Sequence, residues 1–249
     1  FNNKHPVVYI KGSTIKDNTG HITGGAIDIL EGSLYINTDE NGNPDSASTE
    51  TTIENNKVIA SGSDGNRSGG GICYWDTTNK TLTLKIHNTK IKNCTIEAAD
   101  YMANKDARGA GIYINGGKTV LLTLVTLDDC KFTENSGKTL RQKQGGGIYI
   151  RNSALTLGAD THPCTITQCK AEEGGGIYID RYAEFAMKGG VLQGNTVPTS
   201  SSGQGCAVYI NTNGKFVWEG GTITGHTAGH VIEGHGTFTN NTNPPQTAN

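Results

Sequence analysis

Apolar residues recur along this chain in short runs with a period of two, separated by Gly, Asn, Asp, Ser and Thr. Three kinds of run alternate. The first follows glycine: Gly24-Gly25-Ala26-Ile27, Gly69-Gly70-Gly71-Ile72, Gly109-Ala110-Gly111-Ile112, Gly145-Gly146-Gly147-Ile148, Gly174-Gly175-Gly176-Ile177 and Gly205-Cys206-Ala207-Val208. A degenerate seventh copy falls at Gly229-His230-Val231-Ile232. The second kind alternates briefly, as in Leu34-Tyr35-Ile36, Leu82-Thr83-Leu84, Leu122-Thr123-Leu124, Leu155-Thr156-Leu157, Phe185-Ala186-Met187 and Phe216-Val217-Trp218. The third sets a small polar residue three places after an apolar one. It reads Ile15…Asn18, Ile53…Asn56, Ile91…Cys94, Phe132…Asn135, Ile166…Cys169, Leu192…Asn195, Ile223…His226 and Phe238…Asn241.

Each repeat therefore predicts three short strands and no helix, since no segment sustains a 3.6-residue period. The distances between the anchors Ile27, Ile72, Ile112, Ile148, Ile177 and Val208 are 45, 40, 36, 29 and 31 residues. Propeller blades hold four strands at nearly constant spacing, whereas here the strands persist and the connections stretch. A solenoid tolerates that, because each coil stacks only on its neighbours. The reading is all-β: a right-handed, three-sided parallel β-helix of about seven coils, the hand following from the rule for parallel crossovers. One domain spans 1–241, and 242–249 reads as an exit linker. Stacking would put Ile27, Ile72, Ile112, Ile148, Ile177 and Val208 in one inward column. Ile29, Tyr74, Ile114, Ile150, Ile179 and Ile210 would form a second, and the small polar residues an Asn ladder with Cys94 and Cys169 inside it. An acid at Ile148 is expected to abolish folding, while loss of an outward ring such as Tyr149 is expected to cost little.

Composition narrows the class. Of 249 residues 35 are Gly, without a collagen period, and the formal charge is −2. Near-neutral charge without a basic stripe argues against nucleic acid as a partner. No apolar run reaches the ~20 residues that span a bilayer. With neither an initiator Met nor a signal peptide, the chain reads as a segment of something longer, reaching a membrane only through flanking domains. The six cysteines (Cys73, Cys94, Cys130, Cys164, Cys169 and Cys206) lack zinc-ligand spacing. Cys130 and Cys164 read as occupants of one inward slot in adjacent coils, and Cys73 as outward and reactive. Buried free thiols are the favoured state.

Gly24-Gly25-Ala26-Ile27 and Phe132-Thr133-Glu134-Asn135 resemble the paired GGA[ILV] and FxxN repeats of polymorphic outer-membrane proteins, bacterial autotransporters with an adhesive passenger. The looser pattern runs from Ile15 to Asn241, with Ile where that family has Phe in most copies. The resemblance implies a bacterial surface, outer-membrane or secreted location, and a partner that is a host-cell or matrix protein or glycan, or another copy of the chain.

No catalytic constellation stands out, so the chain is expected not to be an enzyme and to carry no cofactor. Asn37-Thr38-Asp39, Asp128-Asp129 and Gly234-His235-Gly236 are similar to polygalacturonase motifs. They fall in the first, third and last coils, about 25–30 Å apart at the extremes, against the ~6.5–9.5 Å between carboxyls that an inverting glycosidase needs. Arg151, Asp180 and Arg181 follow adjacent Ile-Tyr-Ile strands and read as surface charges. Asp39, Asn41, Asn43, Asp45 and Glu50 follow a calcium-loop register, but Pro44 stands where such a loop needs Gly. Binding has better candidates. Tyr113, Tyr149, Tyr178 and Tyr209 should form an outward aromatic strip for sugars or a partner surface. Insertions at 57–68, 95–108, 136–144 and 196–204 should gather on one edge, with Tyr101 exposed there and Lys138, Arg141 and Lys143 making a basic tip. A carbohydrate-active β-helix enzyme is the alternative.

Overall fold

The computed structural model describes residues 5–45, 47–60, 65–78, 82–98, 102–134, 139–198, 204–227, 230–242 and 247–248, with the side chains of 102–105 left aside. Strands of successive coils pair in parallel on three faces. The first face runs from Val7–Ile10 through Ser33–Ile36 to Thr237–Asn240. The second carries Thr14–Lys16, Thr51–Glu54, Cys164–Thr167, Gly190–Gln193 and Thr222–Thr224. Two ten-residue strands, Thr83–Lys92 and Thr119–Asp128, turn the corner between these faces and belong to both. The third face stacks seven strands, from Ile27–Leu30 to Ile232–Gly234, so seven coils are formed. The degenerate copy at Ile232 is the seventh, pairing with Val208.

The register makes the aliphatic columns. Ile72, Ile112, Ile148, Ile177 and Val208 are mutual neighbours and fully buried in one continuous core. Burial of each such side chain stabilises by about 1.5–3 kcal/mol. Glycine enters this column's corner for two reasons. Gly145 has φ +70°, and a Cβ there would lie 2.3 Å from the Ile148 carbonyl oxygen. A Cβ on Gly146 would lie 2.4 Å from the Gly175 oxygen of the next coil. The first glycine sets the turn and the second lets the coils close on each other.

The polar ladder departs from expectation in one coil. Leu127, not Phe132, aligns with Ile91 and Ile166, so the ladder residue is Cys130. Cys94, Cys130 and Cys169 each aim their thiol at the carbonyl two residues back, at 3.6, 3.6 and 3.4 Å. Asn56 Nδ2 does the same to Glu54 at 3.0 Å. Cys164 lies elsewhere, its sulfur 3.2 Å from the Leu122 oxygen, so Cys130 and Cys164 do not share a slot. The five-residue slip arises because the third coil carries two apolar-x-x-polar phrases, Leu127…Cys130 and Phe132…Asn135. All six cysteines are buried and free.

Phe132 belongs to a second structure. Residues 199–203 of the fourth insertion lie outside the described residues, and the described parts of the other three are strands rather than loops. They run out as Thr19–Gly20, Lys57–Ala60, Thr95–Ala98 and Lys131–Glu134 and return as Arg67–Ser68, Met102–Arg108 and Leu140–Gln144, forming two further parallel sheets. Between them Val58, Ala60, Ile96, Ala98, Ala107 and Leu140 make a separate small core. This lateral wing stacks as the coils do, and Phe132 packs against both cores. Among the described residues no helix is long and apolar enough to cross a membrane.

Candidate functional site

The outward tyrosines are where alternation put them, but they are not an open strip. Tyr113, Tyr149 and Tyr178 are at most 3% exposed and Tyr209 is partly exposed. Their rings stack on one another at 5.2, 5.3 and 5.1 Å, within 17° of parallel. Both broad faces of Tyr149 and of Tyr178 are therefore spent on neighbouring coils, which leaves these rings only their edges and hydroxyls. Burial pushes all four hydroxyls above the ordinary tyrosine value, so they stay protonated donors. Cys73, which heads the column against Tyr113, is likewise buried and not reactive. Burial and then Asp28 raise its thiol.

What covers the rings is a polar wall built where the wing meets the third face. The residues just before each glycine phrase (Ser68, Arg108, Gln144 and Glu173) lie in one row of backbone neighbours. The guanidinium carbon of Arg108 lies 5.5 Å from the centre of the Tyr149 ring. Asp106, nearly buried, takes Arg108 Nη2 at 2.9 Å and Arg141 Nε at 2.7 Å. Gln144 Nε2 donates to Glu173 Oε2 at 2.8 Å. Asp180, also buried, accepts the Tyr149 hydroxyl on Oδ2 and Asn211 Nδ2 at 2.7 Å on Oδ1. Arg151 Nε lies 3.7 Å from Asp180 and makes no hydrogen bond. Most of these groups line a trough of about 430 Å³ between wing and coil, joined by Tyr178, the partly exposed Tyr209 and the exposed Arg181. Glu173 is its perturbed acid: burial, then repulsion from Glu172, Asp180 and Asp106, raise its carboxyl against the Gln144 bond.

The other candidates are placed as follows. Arg141 and Lys143 do not make a free basic tip: Arg141 is held by Asp106, and Lys143 lies between Glu134 at 2.8 Å and Glu172 at 2.5 Å. Tyr101 and Lys138 lie outside the described residues. In the calcium-like run, Asp39 spends its oxygens on Asn41 N, Asn43 N and Asn43 Nδ2, at 2.8–2.9 Å. Asp45 pairs with Lys11 at 2.6 Å, while Asn41 and Glu50 are exposed. Among the described residues no group of three or more His, Cys, Asp or Glu has metal-holding geometry. The polygalacturonase-like fragments stay apart: Asn37 is a buried corner residue bonded to Asn88 O at 2.8 Å, Asp129 pairs with Lys131, and His235 belongs to the last coil.

Sequence reasoning missed Asp106, Arg108, Gln144 and Glu173. Their signal was positional, since Arg108, Gln144 and Glu173 each precede the first glycine of a repeat. Arg151, Asp180 and Arg181, read as surface charges, join them in the trough.

Residues 70–243 match the family described as right-handed β-helix region. No curated protein and no solved structure matches the chain significantly.

Proposed function

Because the chain belongs to the right-handed β-helix family, we propose that it is a bacterial surface or secreted β-helix segment acting in attachment or display, by binding and not by turnover. The carrying observation is the wing. Closing a coil needs no extra sheets, yet successive insertions build two of them beside one face and wall a polar trough there. Solenoids place binding surfaces on such same-edge insertions. The glycine phrases support a passenger of the polymorphic outer-membrane type, with a host-cell or matrix protein or glycan as partner. The test replaces 95–108 by a tight turn and measures attachment of the purified chain to cells and matrix. Attachment should fall while circular dichroism keeps the β-helix signal. Undiminished attachment would sink the proposal.

One observation favours a second reading, a carbohydrate-active enzyme. Asp106, Glu173 and Asp180 line one trough, and a raised acid beside other carboxylates is an acid–base arrangement. Incubation with a panel of polysaccharides decides between the readings. The binding reading expects no cleavage, whereas cleavage abolished by Glu173→Gln or Asp180→Asn establishes the enzyme.

A further inference from the structure

The arginines of the trough differ in how their charge is spent. Arg108 and Arg141 share one carboxylate, that of the nearly buried Asp106. Arg151 is not matched in the same way. The acid beside it, Asp180, gives one oxygen to Tyr149 and the other to Asn211, which leaves Arg151 Nε at 3.7 Å without a hydrogen bond. Arg181 is exposed, and its guanidinium makes no hydrogen bond or ion pair among the described residues. Both lie on the side where the tyrosine ladder comes to the surface at Tyr209.

We propose that this half of the trough is a subsite for an anionic saccharide, its carboxylate or sulfate taken by Arg151 and Arg181 and its ring hydroxyls by Tyr178, Tyr209 and Asn211. Guanidinium forks match planar carboxylate and tetrahedral sulfate alike, through paired N–H donors. The walls are almost wholly polar, which disfavours an apolar peptide or lipid chain and suits a ligand covered in hydroxyls. The cleft's size falls within the roughly 300–1,000 Å³ of small-ligand sites. The ladder rings of Tyr178 and Tyr209 stand 5.1 Å apart, so the trough's lining includes two tyrosines from adjacent coils. Stacking of sugar on the faces of Tyr178 plays no part, because Tyr149 and Tyr209 already occupy them.

The inference rests on taking the walled face as the working face, and its test is independent of attachment. The full chain is titrated by calorimetry with trigalacturonate, with its fully methyl-esterified neutral form, and with a sulfated disaccharide. The two anionic arms tell carboxylate from sulfate, and tighter binding of either over the neutral form supports the subsite. Arg151→Met/Arg181→Met should weaken the anionic probe by at least ten-fold. Arg151→Lys should recover only part of that, because charge returns without the fork. Lys92→Met, which removes a cation paired with Glu54 on the second face, should leave binding unchanged. Both arginines are partly or fully exposed, so the variants should keep the wild-type melting curve. The proposal is overturned if no anionic probe binds, if the neutral form binds equally well, or if the double variant binds like wild type. Attachment assays score the broader function separately, so either can fail without the other.

Discussion

The coil and the wing use the same device, parallel strands stacked in register, but at different scale. The coil's core runs unbroken through seven layers and closes on three faces. The wing's two sheets hold four and three strands, and its core has six buried residues, three of them alanine. In a one-dimensional stack each layer is stabilised by its neighbours, so a long closed stack is cooperative and a short open one frays. The wing thus depends on the coil, while the coil does not depend on the wing. Phe132, touching both cores, is the joint between them.

The sharpest way to separate the two is to charge the middle of the coil. Ile148 is fully buried, with Ile112 and Ile177 as its neighbours above and below. Ile148→Asp should leave no folded population, because an unpaired carboxylate has no partner in that column. A cooperative urea transition in the variant would refute the account.

Tyr149→Ser comes next, and the structure changes its expected size. The residue faces outward, which in the sequence alone suggests a small cost. It is in fact fully buried, stacked on both sides and bonded to Asp180. Loss of such an aromatic costs about 3–5 kcal/mol. Urea titration should show a large drop that still leaves a folded state. A cost under about 1 kcal/mol would mean that the wall over the ladder contributes no burial.

These two positions also show what was legible in the chain. Period-two alternation gave the strands, and constant strands with elastic spacing gave the solenoid, because those patterns follow directly from backbone geometry. Direction was legible and depth was not. Whether an outward ring is exposed depends on what the insertions do, and their strands carry short, weak patterns such as Lys-Val-Ile-Ala at 57–60. The third coil shows the same limit from another side. Two phrases of one shape competed for the ladder, and only pairing with neighbouring coils selects Cys130 over Asn135. The trough was the least legible part, since Asp106 and Asp180 are 74 residues apart in sequence and meet only through stacking.

A milder change tests the wing itself. Leu140 and Ile96 carry the two largest aliphatic side chains of the small core, and Leu140 is 3% exposed. Leu140→Ala should destabilise the wing by about 2 kcal/mol, the low end for such a truncation, because the open stack relaxes easily. Hydrogen exchange at 95–98 and 140–144 should accelerate, while amides of 148–150 and 177–179 keep their protection. Equal acceleration in both sets would show that coil and wing unfold as one unit.

The smallest expected effect lies at the seam and is read by pH. Glu173 stands where wing meets coil, and its carboxyl is raised by burial and then by Glu172, Asp180 and Asp106. Between the ordinary carboxylate value and its own raised one, Glu173 holds its proton in the folded chain and loses it in the unfolded chain. The folded state then binds more protons, so this contribution to stability is complete at low pH and is lost as pH rises through the raised value. Glu173→Gln keeps an acceptor for Gln144 Nε2, now 2.8 Å from Glu173 Oε2, and removes the ionisation. The urea midpoint of the variant should therefore gain on wild type as pH rises from the ordinary carboxylate value through the raised one. The gain should be modest, because Glu173 is only partly buried and water screens part of the repulsion. Parallel pH profiles for the two proteins would mean that the seam is open to solvent and that the trough walls do not close over this acid.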